Sequence, residues 1–149
     1  MTKLMAKITS YAELEKQINK ACSKAVQNTC NKLLEVLQQY IMSEYYDVFN
    51  PKKYHRTMQF YRSAMTEMLS ETCGIIFMNP DVMYYPIQKT GWSWDGALQI
   101  YEANEGSHGG WTTEESVKHK YFYEFEKYCA KNAVKMLKQD LIKQGVLIK

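Results

Sequence analysis

Apolar and small residues recur at three- and four-residue steps through the first third of the chain. Leu14, Ile18, Ala21, Cys22, Ala25, Thr29, Leu33, Val36, Leu37, Tyr40 and Ile41 carry the pattern, while Lys16, Lys20, Asn31, Glu35 and Gln38 fall between them. That spacing gathers side chains on one face of an α-helix. Ser10-Tyr11-Ala12-Glu13 has the form of a capping box, which satisfies orphan backbone donors at a helix start. Asn50-Pro51 sets an outer limit, because the residue before proline is pushed out of the α region. A helix running to about Tyr46 is on the order of 50 Å long. That exceeds what the core of so small a domain needs, so part of the stripe is expected to pack on something else.

The rest of the chain reads as a turn-rich middle followed by a second long helix. No glycine precedes Gly74, six of the seven lie from Gly74 to Gly110, and none follows until Gly145. Residues 47–57 read as a structured loop. Residues 58–69 are predicted to form a short second helix that buries Phe60, Tyr61, Met65 and Leu69. Cys73-Gly-Ile-Ile-Phe-Met78 is the clearest strand, Asn79-Pro80-Asp81 a turn, and residues 82–85 a return strand. The aromatic–polar alternation of residues 91–94 suits a third strand, Asp95 a cap for a short helix through Tyr101, and residues 105–113 a loop. Glu114 and Glu115 suit a helix N-terminus. Tyr121, Phe122, Phe125, Cys129, Ala133, Leu137 and Leu141 then form the last stripe, with Gly145 placed to stop the helix. The expectation is an α+β fold: long N-terminal helix, short helix, small antiparallel sheet, long C-terminal helix. It is read as one domain over residues 1–149, with 1–10 as a flexible arm and 145–149 as a tail.

Composition narrows the class. With 149 residues, 46% hydrophobic and 23% charged, the chain is globular in type and long enough to bury a core without staples. Charged residues through the first twenty positions leave no apolar core for a signal peptide, and no run is long enough for a bilayer. A soluble cytosolic protein is expected, with its four cysteines reduced. The net charge of +3 is mild, and Arg56 and Arg62 are the only arginines among nineteen basic residues. Nucleic-acid readers lean harder on arginine, whose planar fork matches phosphate and guanine.

Candidate chemistry is thin. Cys22, Cys30, Cys73 and Cys129 have no zinc-knuckle or redox spacing. His55 lies in a basic stretch with no nucleophile or orienting partner nearby, His108 precedes Gly109-Gly110, and His119 is flanked by lysines. A pairing of Cys73 with His108 lacks the electropositive setting a catalytic thiol needs. There is no calcium loop, zinc-protease helix or phosphate-binding glycine loop. No catalytic residue, metal or cofactor is expected.

The aromatic residues say more. Twelve tyrosines and three tryptophans are present, and seven aromatics lie between Tyr40 and Tyr61. Trp92, Trp94 and Trp111, with His108, sit in the turn-rich middle and are the candidate interface residues, since large amphipathic rings suit protein contacts. The stretch 52–62 interleaves basic and aromatic residues, so nucleic-acid binding is the alternative reading, with a weak DNA contact.

One loop carries a family resemblance. Tyr45-Tyr46-Asp47-x-Phe49-x-Pro51-Lys52-x-Tyr54-x-Arg56-Thr57, followed by Ser63, resembles a motif of small tail-component proteins of phages and prophages, in or near the tail-completion and head–tail connector family. Phe49 stands where a tyrosine is expected. The His108-Gly109-Gly110 region is similar to the same proteins' glycine-rich loop. The resemblance implies a non-enzymatic virion protein: a homo-oligomeric ring subunit that joins other neck or tail proteins, with no membrane contact. By the same resemblance Tyr46, Pro51, Tyr54, Arg56 and Thr57 form a structural motif. Within it Tyr54 and Arg56 are expected to pin the loop to the helices, Arg56 by charge-assisted bonds.

Overall fold

The Ser10 hydroxyl accepts a hydrogen bond from the Glu13 amide at 3.2 Å, and α1 (Tyr11–Ile41) begins on that cap. The computed structural model describes residues 10–47, 57–83, 96–97, 100–101 and 121–146. At its C-terminal end α1 widens into a π-helical segment, Met42–Tyr46, closed by the Asp47 amide donating to the Met42 carbonyl at 2.9 Å. Helical structure therefore runs through Tyr46, as the periodicity predicts.

The second helix is shorter than expected. Only Gln59–Ser63 is helical (α2), and Ala64–Ser70 is a strand (β1). The reason is visible in the burial of β1. Ala64 is buried, Thr66 and Met68 are half-buried, and Met65, Glu67 and Leu69 are exposed, a period of two that a helix cannot produce. Phe60 is buried and Tyr61 half-buried as predicted, but Met65 and Leu69 face outwards, which corrects the expectation for both.

Cys73–Met78 is a strand (β2), as the sequence predicts, but its partner is β1. The two pair antiparallel, with Ala64 opposite Met78, Glu67 opposite Ile75 and Ser70 opposite Cys73, and the ladder is irregular between Met68 and Ser70. The expected return strand at 82–85 does not start at Val82. Pro80–Val82 is a 3-10 turn, held by the Asn79 side chain accepting from the Asp81 amide at 3.0 Å, and Met83 drops into the core. Tyr84, Tyr85 and the third strand expected at 91–94 lie outside the described residues. Residues 96, 97, 100 and 101 are helical, in keeping with the short helix expected there.

The last helix, α3 (Tyr121–Lys143), ends as predicted. Gly145 has φ +86°, its amide donates to the Ile142 carbonyl at 2.9 Å, and the Val146 amide donates to the Leu141 carbonyl at 3.0 Å. This pair of bonds is a Schellman cap, which needs a left-handed residue where glycine stands.

α1 is the spine. Tyr121 and Phe125, at the start of α3, share a core with Leu33, Leu37 and Ile41, whereas Asp140, near its end, reaches Thr29 and Lys32. The two long helices are thus antiparallel. The hairpin packs on another side of α1, where Gly74 lies so close to Cys30 that a Cβ would sit 2.6 Å from its Sγ. Phe60, Ala64, Tyr46 and Met83 close the core at the far end. The observed order of long helix, short helix, antiparallel hairpin and long helix is the α+β arrangement expected.

Candidate functional site

Two clusters of side chains join the elements. The first is aromatic and gathers the described part of the loop motif. Because the turn at 42–46 is one residue wider than an α turn, both Tyr45 and Tyr46 reach the core end of α1. Tyr45 stacks on Phe60 at 4.5 Å between centroids, Tyr46 meets Tyr45 edge-on at 5.1 Å, and Phe60 meets Tyr121 edge-on at 5.4 Å. The buried Tyr46 hydroxyl accepts from the Tyr61 amide at 3.4 Å, and the Tyr61 hydroxyl donates to Gln38 Oε1 at 3.2 Å. Edge-to-face pairs of this kind add about 0.5–1.5 kcal/mol beyond their area. Ser63, fully buried, donates to the Phe60 carbonyl at 2.7 Å, and its own carbonyl accepts from the Asn79 amide. The Tyr121 hydroxyl donates to the Ile100 carbonyl at 3.2 Å, and burial pushes its pKa well up.

Within the motif, Tyr46 is a core residue, and Thr57 is exposed but fixed. The Thr57 carbonyl accepts from Arg62 Nη2 at 2.9 Å, and its hydroxyl accepts from the Gln59 amide at 3.4 Å. Arg62 thereby steadies the entry to α2 beside Met58, whose φ of 59° is left-handed. Pro51, Tyr54 and Arg56 lie outside the described residues, as do Trp92, Trp94, His108 and Trp111. His55, His119 and residues 52–56 of the 52–62 stretch lie outside them too. Of that stretch, Phe60 and Tyr61 are committed to packing and Arg62 to a carbonyl, so none of the three is presented as a stacking platform or phosphate clamp.

The second cluster is polar. Asp140 is only 1% exposed. It accepts from the Thr29 hydroxyl at 2.9 Å and from the Lys32 ammonium, with Lys143 at 4.0 Å. Burial alone would raise the Asp140 carboxyl. The bonds from Lys32 and Thr29, with the charges of Lys32 and Lys143, outweigh it and hold the group below the ordinary 3.8. The apolar stripe predicted for the last helix does not include Asp140. The available signal is an acidic residue four places after Met136 and seven after Ala133, on the packed side of a lysine-rich helix.

The thiols take no part in either cluster. All four cysteines are free, and burial raises the pKa of Cys30 and of Cys129, the setting of an inert thiol. Among the described residues there is no group of three or more potential metal ligands, and no helix long and apolar enough to cross a membrane.

What these residues define is a small helical α+β unit whose buried polar groups and rings serve to lock its elements together. Residues 10–143 match the YomN family, and the chain belongs to it. That family is associated with Bacillus phages and prophages, which makes this a phage-related protein. No curated protein and no solved structure gives a significant match.

Proposed function

We propose that the chain is a non-enzymatic structural component of a phage particle, a neck, tail-completion or head–tail connector subunit that assembles with copies of itself and with other virion proteins. The observation that supports this best is the overhang of α1. Tyr11, Leu14 and Ile18 continue the phase of Ala25 and Thr29, the side that meets α3, but α3 stops three residues past Asp140. No residue of α1 before Ala25 is buried, and Tyr11 is 82% exposed. From Tyr11 to Lys20, about 15 Å of helix at 1.5 Å per residue, the stripe residues Tyr11, Leu14 and Ile18 stay exposed, with no described part of the fold covering them. Stripes of that kind mark protein contacts. Association with phages supplies the setting, and the motif around Tyr46 and Thr57 supplies the narrower resemblance.

The function requires neither metal nor cofactor under this reading. The test is to delete the coding sequence from an inducible phage or prophage and image the particles, while searching purified wild-type particles for the chain by mass spectrometry. The expected result is the chain in the particle at fixed stoichiometry, and unjoined heads and tails without it. Normal, infectious particles from the deletion, with no trace of the chain in wild-type particles, would overturn the proposal.

A further inference from the structure

Two exposed faces on different sides of α1 carry opposite charge. The outer side of α3 presents Tyr123, Val134 and Ile142, all exposed, Val134 by 68%. Lys127, Lys131, Lys135 and Lys138 are interleaved with them and exposed. At 100° per residue all seven fall within roughly a third of the helix circumference. Lys127 pairs with Glu124 at 3.1 Å and lies 4.1 Å from the Tyr123 ring centroid. Among the described residues, Lys131, Lys135 and Lys138 have no carboxylate partner. Lysines three and four residues apart repel one another along the helix. The face is therefore basic and partly apolar, with three of its four lysines uncompensated among the described residues.

The outer side of the hairpin is its complement. Met65, Glu67 and Leu69 of β1 point outwards, Leu69 by 59%, and Ile75 and Phe77 stand opposite Glu67 and Met65 in the register. Ile76 and Met78, on the other side of β2, pack on the core, whereas Ile75 and Phe77 do not belong to it. Glu71 extends the acidic character to the hairpin tip, and neither strand carries a lysine or arginine. Lengths agree as well. Seven residues of β1 span roughly 23 Å, and the α3 face from Tyr123 to Ile142 spans roughly 28 Å.

The two faces do not meet within one molecule, because α1 lies between them, with Val26 and Cys30 under β2 and Thr29 and Lys32 against α3. We propose that the hairpin face of one copy docks on the α3 face of the next, a contact between unlike surfaces that repeats around a ring. The proposal rests on the assembly reading above and specifies its interface. Apolar residues and lysine stems cover one another, while Glu67 and Glu71 neutralise the lysines. Contacts between unlike patches close when the rotation divides a full turn. A patch roughly 23 Å by 10 Å is smaller than the ~800 Å² per partner of a standard interface. A single contact is therefore weak and salt-sensitive.

The experiment uses the full chain and light-scattering mass over a concentration series at low and high salt. The wild type is expected to self-associate at low salt, at least tenfold more weakly at high salt. Lys131→Glu with Lys135→Glu, and separately Glu67→Lys with Glu71→Lys, are each expected to weaken association at least tenfold. All four positions are exposed, so circular dichroism and melting of both variants should match wild type. Mixing the two variants is expected to restore association, because each then offers the face that the other lacks. A wild type that stays monomeric, a mixture that does not associate, or variants that associate like wild type would each overturn the contact. So would binding of duplex DNA or anionic vesicles that is lost in the lysine variant with self-association unchanged. A chain found in particles yet monomeric here sinks this contact alone, not the structural role.

Discussion

Asp140 shows how one carboxylate ties the two long helices together. Removing it leaves Thr29 and Lys32 without their buried partner. Because Lys32 is partly in water, Asp140→Ala is expected to cost about 2–3 kcal/mol, below the ~3–5 kcal/mol of a fully buried pair. Chemical denaturation measures it. The same group gives an acid limit. Its pKa is depressed in the folded chain, so its contribution is complete above the ordinary 3.8 and is lost as pH falls below that through the folded value. The acid-induced loss should be smaller in Asp140→Asn than in wild type. Tyr121 gives the opposite limit. Its folded pKa is raised by burial, so its contribution is present below the usual 10.0 and disappears as pH rises above it. Tyr121→Phe should lose about 1 kcal/mol at neutral pH through the Ile100 hydrogen bond, yet show less destabilisation above pH 10. Gly74 is a third single-residue constraint. Gly74→Ala drives a methyl into Cys30 Sγ and is expected to cost about 1–3 kcal/mol. Adding Cys30→Ala should recover part of that loss, which a double-mutant cycle reads directly.

At the scale of elements, α1 divides into two parts of different stability. From Ala25 to Ile41 its inner face is buried, and before Ala25 nothing is. Hydrogen exchange should therefore be fast in residues 14–22 and slow in 33–41, approaching global unfolding only in the second part. Self-association through the overhang would slow the first set in a concentration-dependent way. The sequence made α1 legible because cap, periodicity and proline limit agree. It made β2 legible because Gly74 and the apolar run agree. It misled on β1, where Tyr61, Met65 and Leu69 also fit helical steps. There Ser63 turns its hydroxyl onto the Phe60 carbonyl and Ala64 goes extended, and the alternation takes over. The sequence points to a downstream partner for β2 because Asn79-Pro80-Asp81 looks like a hairpin turn. The true turn is Glu71-Thr72, which has no glycine to announce it.

At the scale of the whole molecule, the hairpin, α1 and α3 form a stack with a core at one end and Asp140 towards the other. The aromatic motif was legible as a cluster, but not what it does. Tyr46, Phe60 and Tyr61 are spent on joining α1, α2 and α3, which local spacing cannot reveal because Tyr121 is sixty residues and more away. The opposed charges of the hairpin and α3 were equally hidden, since a lysine run and two glutamates mean little until the strand phase is known.

The widened segment at Met42–Tyr46 has a consequence in counting. From Ile41 the chain takes five steps to deliver its next buried side chain, Tyr46, where an ordinary helix takes four. Forcing ordinary pitch here without removing a residue would put Tyr45 four steps after Ile41, in the place of Tyr46, and swing Tyr46 away from the amide of Tyr61. The long helices would still meet through Leu37 and Asp140, but the link from α1 to α2 would lose its anchor. Loss of the widened turn at constant length thus acts as a half-disconnection, separating the part of the molecule that holds itself together from the part that follows it.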